Sequence, residues 1–474
     1  MHQARSHLSP CMGGEMIATK IRRFIILILT LSLSACYKQP VSYLDGGPST
    51  LADGSRLNAE TDVSAVTPAD KTVVRYANAS RYPDSQATYT GTVTLSDAVR
   101  RALRYSPALE AASIEVDAKR AETVQAGLRP NPVITGDVQN VGQDVQESTL
   151  ELSQVILLGG KRLKRIRAAE LDVGVAEWDY EAVRLRTASN TAEDFVDVLG
   201  SQRRIQILGE LEGVARQLKK AVNERVDAGT ISAVDLKRTE IEVIRAQSQL
   251  SQEKSLLGVL RRRLANNWGA RSADFEYVKG DLATGTRLPS ADQLSAFLSS
   301  NPDVARWTTE MMQREAVLRL EKSKRIPDLT VGAGARNVRD ADETGALVGL
   351  SIPLPVFDRN QGNIAAAQTR VFKARRETMA ARIDVNSQML EAYGDLVVAS
   401  RKLEALQKQI LPTAQEVYAD TNKGYAAGEF DLLSVLDSQR TLFATRLEIV
   451  NAQADFQKAK VRIEALIGRS LYDF

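Results

Sequence analysis

The sequence predicts a mainly α-helical chain with a small β part, in which one helix–strand–strand–long helix–helix unit occurs twice. Three observations predict this. An Ala-Gly pair (Ala228-Gly229, Ala427-Gly428) breaks a long helical pattern in each half, and a second glycine (Gly269, Gly468) follows 40 residues later in both. Equal spacing of helix punctuation argues for an internal duplication. No proline interrupts the helical pattern from Lys161 to about Asp227, some 66 residues, or roughly 100 Å at 1.5 Å per residue, far more than a globular core needs. Finally, only 5% of residues are aromatic and 26% are charged, a composition that favours long helices and coiled coils over a compact mixed core.

The first element is a targeting segment. Lys20, Arg22 and Arg23 precede an apolar run from Phe24 to Leu33 that is too short to span a bilayer and has signal-peptide flanks. Leu33-Ser34-Ala35-Cys36 follows and resembles the lipobox of bacterial lipoproteins. That resemblance implies removal of residues 1–35 and a covalent lipid on Cys36. Met16 stands beside Met1 as a start. Residues 1–35 hold four basic and one acidic side chain, so removing them leaves 58 of 62 Lys/Arg and 58 of 59 Asp/Glu. Both histidines and Cys11 lie in that part, so the processed chain has no histidine and the single cysteine Cys36. It can form no internal disulfide, although an exported chain would permit one.

Residues 36–90 are rich in Ser, Thr, Ala, Asp and Pro without sustained period, and read as a lipidated arm or tether. Residues 91–270 form the first repeat. Leu95, Ala98, Val99, Ala102 and Leu103 have helical spacing, with Ser96 as the expected N-cap. Ser106-Pro107 interrupts this helix and Arg129-Pro130-Asn131-Pro132 stops the next one. Val133–Val141 and Ser148–Ile156 alternate weakly over about nine residues, as a tilted barrel strand or a soluble hairpin would. In the long helix that follows, Leu208, Ala215 and Val222 form a heptad stripe, as do Leu211 and Leu218. After Gly229 a partner helix returns to about Trp268, and residues 271–290 connect the repeats.

Residues 291–469 replay the first unit. Asn301-Pro302 answers Ser106-Pro107 and Pro327 answers Pro132, both 195 positions on. Asp328–Asn337 and Ala346–Ile352 are the second strand pair, and a second long helix runs from about Asn363 to Ile410. Pro412 is expected to kink it or start a turn. Residues 470–474 are a tail. Two strands per half give four per chain, which cannot close a membrane barrel, and lipid does not tolerate an open edge. In a membrane, several chains must therefore share one barrel. Three would give twelve strands, an even number in the usual range.

From about Leu95 to Gly468 the chain resembles the TolC family of outer-membrane efflux ducts, in its CzcC/CusC-like branch that serves heavy-metal exporters. The residues that carry this are Leu95-Ser96-Asp97-Ala98-Val99, Ser106-Pro107-Ala108-Leu109, Gly159-Gly160-Lys161-Arg162 and, most specifically, the run from Ser351 to Ile364 (SIPLPVFDRNQGNI). The resemblance implies a homotrimer with a twelve-stranded outer-membrane β-barrel continued by a periplasmic α-helical coiled-coil barrel. It also implies lipid anchoring in the outer membrane, an inner-membrane pump of the resistance-nodulation-division class, and a periplasmic adaptor that grips the hairpin tips at Gly229 and Gly428. In the family, acidic rings and a hydrogen-bonded latch narrow the tunnel at those tips. Asp437 matches one ring position. The other holds Ser434, for which Asp431, one turn away, is the expected substitute. Asp235 matches a latch carboxylate and Tyr425 the latch tyrosine. Phe430 stands where the family has an arginine, which implies an apolar constriction in place of a salt bridge. Three symmetry-related carboxylates at one level attract cations; helix-end acids near an N-terminus are the plainer reading.

Lys161, Arg162, Lys164, Arg165 and Arg167 fall where a tunnel would meet the membrane, and read as headgroup contacts or, more simply, as a solvated helix face. Met311-Met312 suits helix packing better than soft-metal binding. With no histidine in the processed chain, no metal site or other cofactor is expected, and cation passage would be conduction, not capture. No phosphate-binding glycine loop or catalytic cluster suggests an enzyme, and nothing suggests nucleic acid as a partner. The expected function is the outer-membrane channel of a tripartite pump that passes heavy-metal cations, Co/Zn/Cd/Ni or Cu/Ag. A multidrug or type I secretion duct is the alternative cargo reading. A periplasmic coiled-coil adaptor lipoprotein explains the helices but not the duplicated strand pairs.

Overall fold

The structure, a computed structural model, describes residues 91–141, 146–282, 288–339 and 342–471. Residues 1–35, Cys36, the 36–90 arm and residues 472–474 of the tail lie outside the described residues.

The first repeat opens on a three-residue strand, β1 (Thr92–Thr94), and a short helix, α1 (Leu95–Tyr105). The N-cap is Thr94, not Ser96. The Thr94 hydroxyl accepts from the Asp97 amide at 3.3 Å, and the Asp97 carboxylate accepts back from the Thr94 amide. This capping box satisfies two free donors at once, an advantage Ser96 cannot offer from inside the first turn. Helix α2 (Pro107–Ala126) starts on its proline, where no amide proton is needed. Strands β2 (Val133–Gln139) and β3 (Glu147–Ile156) follow, then α3 (Lys161–Asp227) and α4 (Ala233–Asn266).

A three-residue strand in the connector, β4 (Tyr277–Lys279), pairs in parallel with β1. Phe275, 1% exposed, and Trp268 pack beneath it with Val93, Phe195, Leu199 and Leu264, their rings 6.2 Å apart. Phe275→Ala is expected to cost about 3–5 kcal/mol, the usual loss for deleting a buried ring. The check is a lowered unfolding midpoint in detergent, with secondary structure retained below it.

The second repeat contains α5 (Ala291–Ser295), α6 (Pro302–Ser323), β5 (Leu329–Val338), β6 (Glu343–Ser351) and a long rod, Gln361–Ala427. Helix α9 (Leu432–Ile467) completes it. The rod comprises α7 (Gln361–Ala405), a π-helical turn (Leu406–Ile410) and α8 (Leu411–Ala427), and its 67 residues equal the length of α3. Pro412 starts no turn. The π turn immediately before it shifts the hydrogen-bond ladder by one residue. That accommodates a residue with no amide proton and a ring that would crowd the preceding turn.

Helix α3 is the spine. It packs on α2 and α6 along one part of its length and on α4 and α9 along the other. Leu208, Ala215 and Val222 of its heptad stripe are all buried. A second core, around Leu294, Met389, Leu396, Phe456 and Ile463, holds α5, α7 and α9 together. Between the helices, Arg263 bridges Asp194 and Asp197, and Lys458 reaches Asp197 at 3.0 Å. Burial pushes the Asp194 carboxyl up despite its hydrogen bond from Asn267 and the Arg263 guanidinium beside it.

Strands β2-β3-β5-β6 form one antiparallel sheet, so the two halves join at the β3–β5 pair. Among the described residues no helix is long and apolar enough to cross a membrane.

Candidate functional site

The sheet has two chemically different faces. Its register sets Ile134, Leu152, Ala333 and Val348 in one row across the four strands. Gly136, Leu150, Ala335 and Ala346 form the next row on the same face. Ile134, Leu150, Val348 and Leu350 are all largely exposed. Alternation puts Asp137, Thr149 and Arg336 on the opposite face, with Glu151 and Glu147 beside them. Glu147 pairs with Arg336 at 2.5 Å. Among the described residues, edge strands β2 and β6 each have one partner. An exposed apolar face with two unpaired edges is incomplete in water and in lipid alike.

In the basic cluster at the start of α3, Lys161, Arg162, Lys164 and Arg165 are engaged by neighbouring carbonyls or a carboxylate, and Arg167 lies on a solvated helix face. Arg162 and Arg165 donate to the Gly127, Ala126 and Leu128 carbonyls at 2.5–2.6 Å. They thereby satisfy acceptors that the end of α2 leaves open. Lys161 pairs with Asp328 at 2.8 Å, Lys164 donates to the Gly159 carbonyl at 2.8 Å, and Arg167 pairs with Glu170. The cluster fastens the helix junctions to one another. Met312 packs beside Ala168, Leu171 and Ala316.

At the far ends of the two rods lie the hairpin tips. Gly229 (φ +72°) and Gly428 (φ +85°) both adopt the left-handed conformation. In the first tip the Thr230 amide donates to the Arg225 carbonyl and the Gly229 amide to that of Val226; in the second, Glu429 donates to Gly424 and Gly428 to Tyr425. These are two copies of one Schellman motif. Ser232 and Asp431 then cap the return helices α4 and α9.

The tips of the two hairpins pack on each other. Val222, Leu432 and Leu436 are buried together, flanked by Leu218, Val226, Ile231, Leu236 and the ring of Tyr425. The Arg225 guanidinium lies 4.9 Å from the centre of that ring and donates to the Tyr425 carbonyl at 3.4 Å. The Tyr425 hydroxyl is buried with no hydrogen-bond partner among the described residues. Asp235 pairs with Arg238 of its own helix at 3.2 Å, so it and Tyr425 are not joined by a hydrogen bond. Phe430 lies against Gly424 in its own turn and stays half-exposed. Asp437 is exposed near Arg440, which crosses to Glu242 on the other hairpin. Sequence reasoning missed the Arg440–Glu242 tie, because nothing in either helix pattern says which faces oppose.

Hydrogen bonds from the Ser434 hydroxyl (2.6 Å) and amide (2.9 Å) hold the Asp431 carboxyl below its ordinary value, with Arg238 adding to the effect. Because the folded value is the lower one, this cap is at full strength above about pH 4 and is lost as pH falls through the folded value. Amide-exchange protection at Ser434 is therefore expected to drop on acidification below that point. In Asp431→Ala it should be low at every pH.

Known proteins resemble both the fold and the sequence. The description "Outer membrane efflux protein" fits residues 98–270 and 294–469 of this chain. The cobalt-zinc-cadmium resistance protein CzcC of Cupriavidus metallidurans is 33% identical over 379 residues, which cover 80% of this chain and 91% of that protein. A crystal structure of a membrane protein from Pseudomonas aeruginosa superposes with a TM-score of 0.70 at 17% identity, covering 79% of this chain and 90% of that one. A structure of CusC, described as forming a transmembrane channel, gives 0.66 at 18% identity over 79% and 92%.

Proposed function

The chain belongs to the outer membrane efflux protein family, and from that premise we propose that it is the passive outer-membrane duct of a tripartite heavy-metal pump. The observation that carries this reading is the two-faced sheet at one end of two 67-residue rods. Its apolar face suits lipid and its polar face suits a water-filled lumen. Its two open edges find partners when three copies close a twelve-stranded barrel. The rods then continue the lumen into the periplasm for roughly 100 Å, and the paired tips meet a periplasmic adaptor and, through it, an inner-membrane pump of the resistance-nodulation-division class. The likeness to a cobalt-zinc-cadmium resistance protein supports divalent cations of that group as cargo. The cargo passes by conduction, driven by the pump. A lipid on Cys36 anchors each copy.

The test is metal tolerance of a deletion strain, with zinc, cobalt, cadmium, nickel, copper and silver set beside dyes and antibiotics. Sensitivity to zinc, cobalt or cadmium, restored by the intact gene, is the expected result. Sensitivity confined to organic compounds would keep the duct and remove the metal cargo.

A further inference from the structure

The two repeats differ at one place that the duplication leaves unexplained. Strands β3 and β6 end 195 residues apart, at Ile156 and Ser351, but the rods begin 200 apart, at Lys161 and Gln361. The second junction, residues 352–360, is therefore five residues longer than the first. The first junction is packed: the Leu158 amide donates to Asp328 at 2.9 Å, and Gly159 lies tight against Ile326. The second projects. Ile352 is 48% exposed, Leu354 79%, Val356 58% and Phe357 91%. Its base is nonetheless fixed, because the Asn360 amide group donates to the Glu321 carbonyl and carboxylate at 2.8 Å. Pro353 and Pro355 stiffen the segment between.

We propose that this junction is a membrane-interface anchor, with Leu354, Val356 and Phe357 seated at the headgroup–acyl boundary of the periplasmic leaflet. The proposal rests on the duct reading above. Its occupant follows from continuity. Val348 and Leu350 belong to the sheet's exposed apolar face, and directly past the strand's end Ile352, Leu354 and Val356 add further exposed apolar side chains. From Ala346 to Leu350 the strand covers only ~10 Å of membrane height at a barrel tilt near 40°. Past the strand Ile352 and Leu354 lengthen this exposed apolar run, and the chain then turns at Val356, whose amide donates to the Leu354 carbonyl at 2.9 Å. Asp358, Arg359, Asn360 and Gln361 follow at once, a switch to polar residues where the band should end. A nearly fully exposed aromatic ring at that switch suits the interface, where aromatic girdles lie. Because the segment is held before lipid meets it, little ordering cost opposes insertion.

Nitroxide labels at Phe357→Cys, Val348→Cys and Lys373→Cys, read in phosphatidylethanolamine–phosphatidylglycerol vesicles, test this. The unsubstituted chain serves as background for Cys11 and Cys36. The expected result is oxygen access exceeding nickel-chelate access at 357 and 348, with the reverse at 373. Nickel access at 357 with oxygen access at 348 overturns the anchor and keeps the duct. Low access to both reagents at 357 overturns it in favour of cover by a second copy. Nickel access at 348 overturns the membrane reading of the sheet itself, and the anchor with it.

Discussion

Gly334→Val is expected to abolish assembly of the oligomer, leaving chain that is degraded or lost from the outer-membrane fraction. Gly334 lies on β5 opposite Glu151 of β3, in the strand pair that joins the two halves of the sheet. A Cβ there would overlap the Leu150 carbonyl oxygen and sit 2.9 Å from the Glu151 Cα. Both are backbone atoms of a paired strand and cannot swing aside. Overpacking costs about 1–3 kcal/mol even where side chains give way, and here the cost falls once on every copy in a closed barrel. Gly332 is the internal control. The atoms nearest its Cβ would all belong to the Glu151 side chain, which can turn away, so Gly332→Ala should assemble. Gly345, with open space around it, should accept alanine as well. Heat-modifiable oligomer on a mild gel reads all three. Wild-type oligomer in Gly334→Val would mean that β3 and β5 are not paired in this register.

What was legible in the sequence was whatever repeats over many residues. The equal glycine spacings located both tips, because only a left-handed residue ends a helix in a Schellman turn and glycine adopts it freely. The 67 residues of α3 were readable because a proline-free pattern of that length has few alternatives, and its heptad stripe turned out buried. Long-range partners were not readable. Strand β4 is three residues long and finds β1 about 185 residues away, which leaves no periodic trace. The role of Arg162 and Arg165 was hidden for the same reason, since the carbonyls they satisfy belong to another helix. At the tips, spacing placed Asp235, Asp431 and Tyr425 near the turns. It did not say that Asp235 is taken by Arg238, or that Tyr425 offers its ring and not its hydroxyl.

The packing of the tips leads to the second large effect. Leu436→Asp is expected to part the two hairpins at their ends and raise single-channel conductance several-fold at neutral pH. Leu436 is 3% exposed, among Val222 and Leu432. An unpaired carboxylate buried there costs several kcal/mol, and the cheapest relief is to let water between the tips. The opening should be confined to the ends. Farther along the same hairpins Arg446 pairs with Glu210 at 2.6 Å, Lys458 with Asp197 at 3.0 Å and Arg462 with Glu193 at 3.1 Å, and none of these depends on Leu436. Two controls separate charge from shape. Leu436→Met keeps the volume apolar and should leave conductance unchanged. Acidifying Leu436→Asp should close it again, because burial raises a carboxyl's pKa and the protonated form is the one the closed tip accepts. An oligomeric Leu436→Asp channel with wild-type conductance across this pH range would show that the cluster does not hold the duct shut.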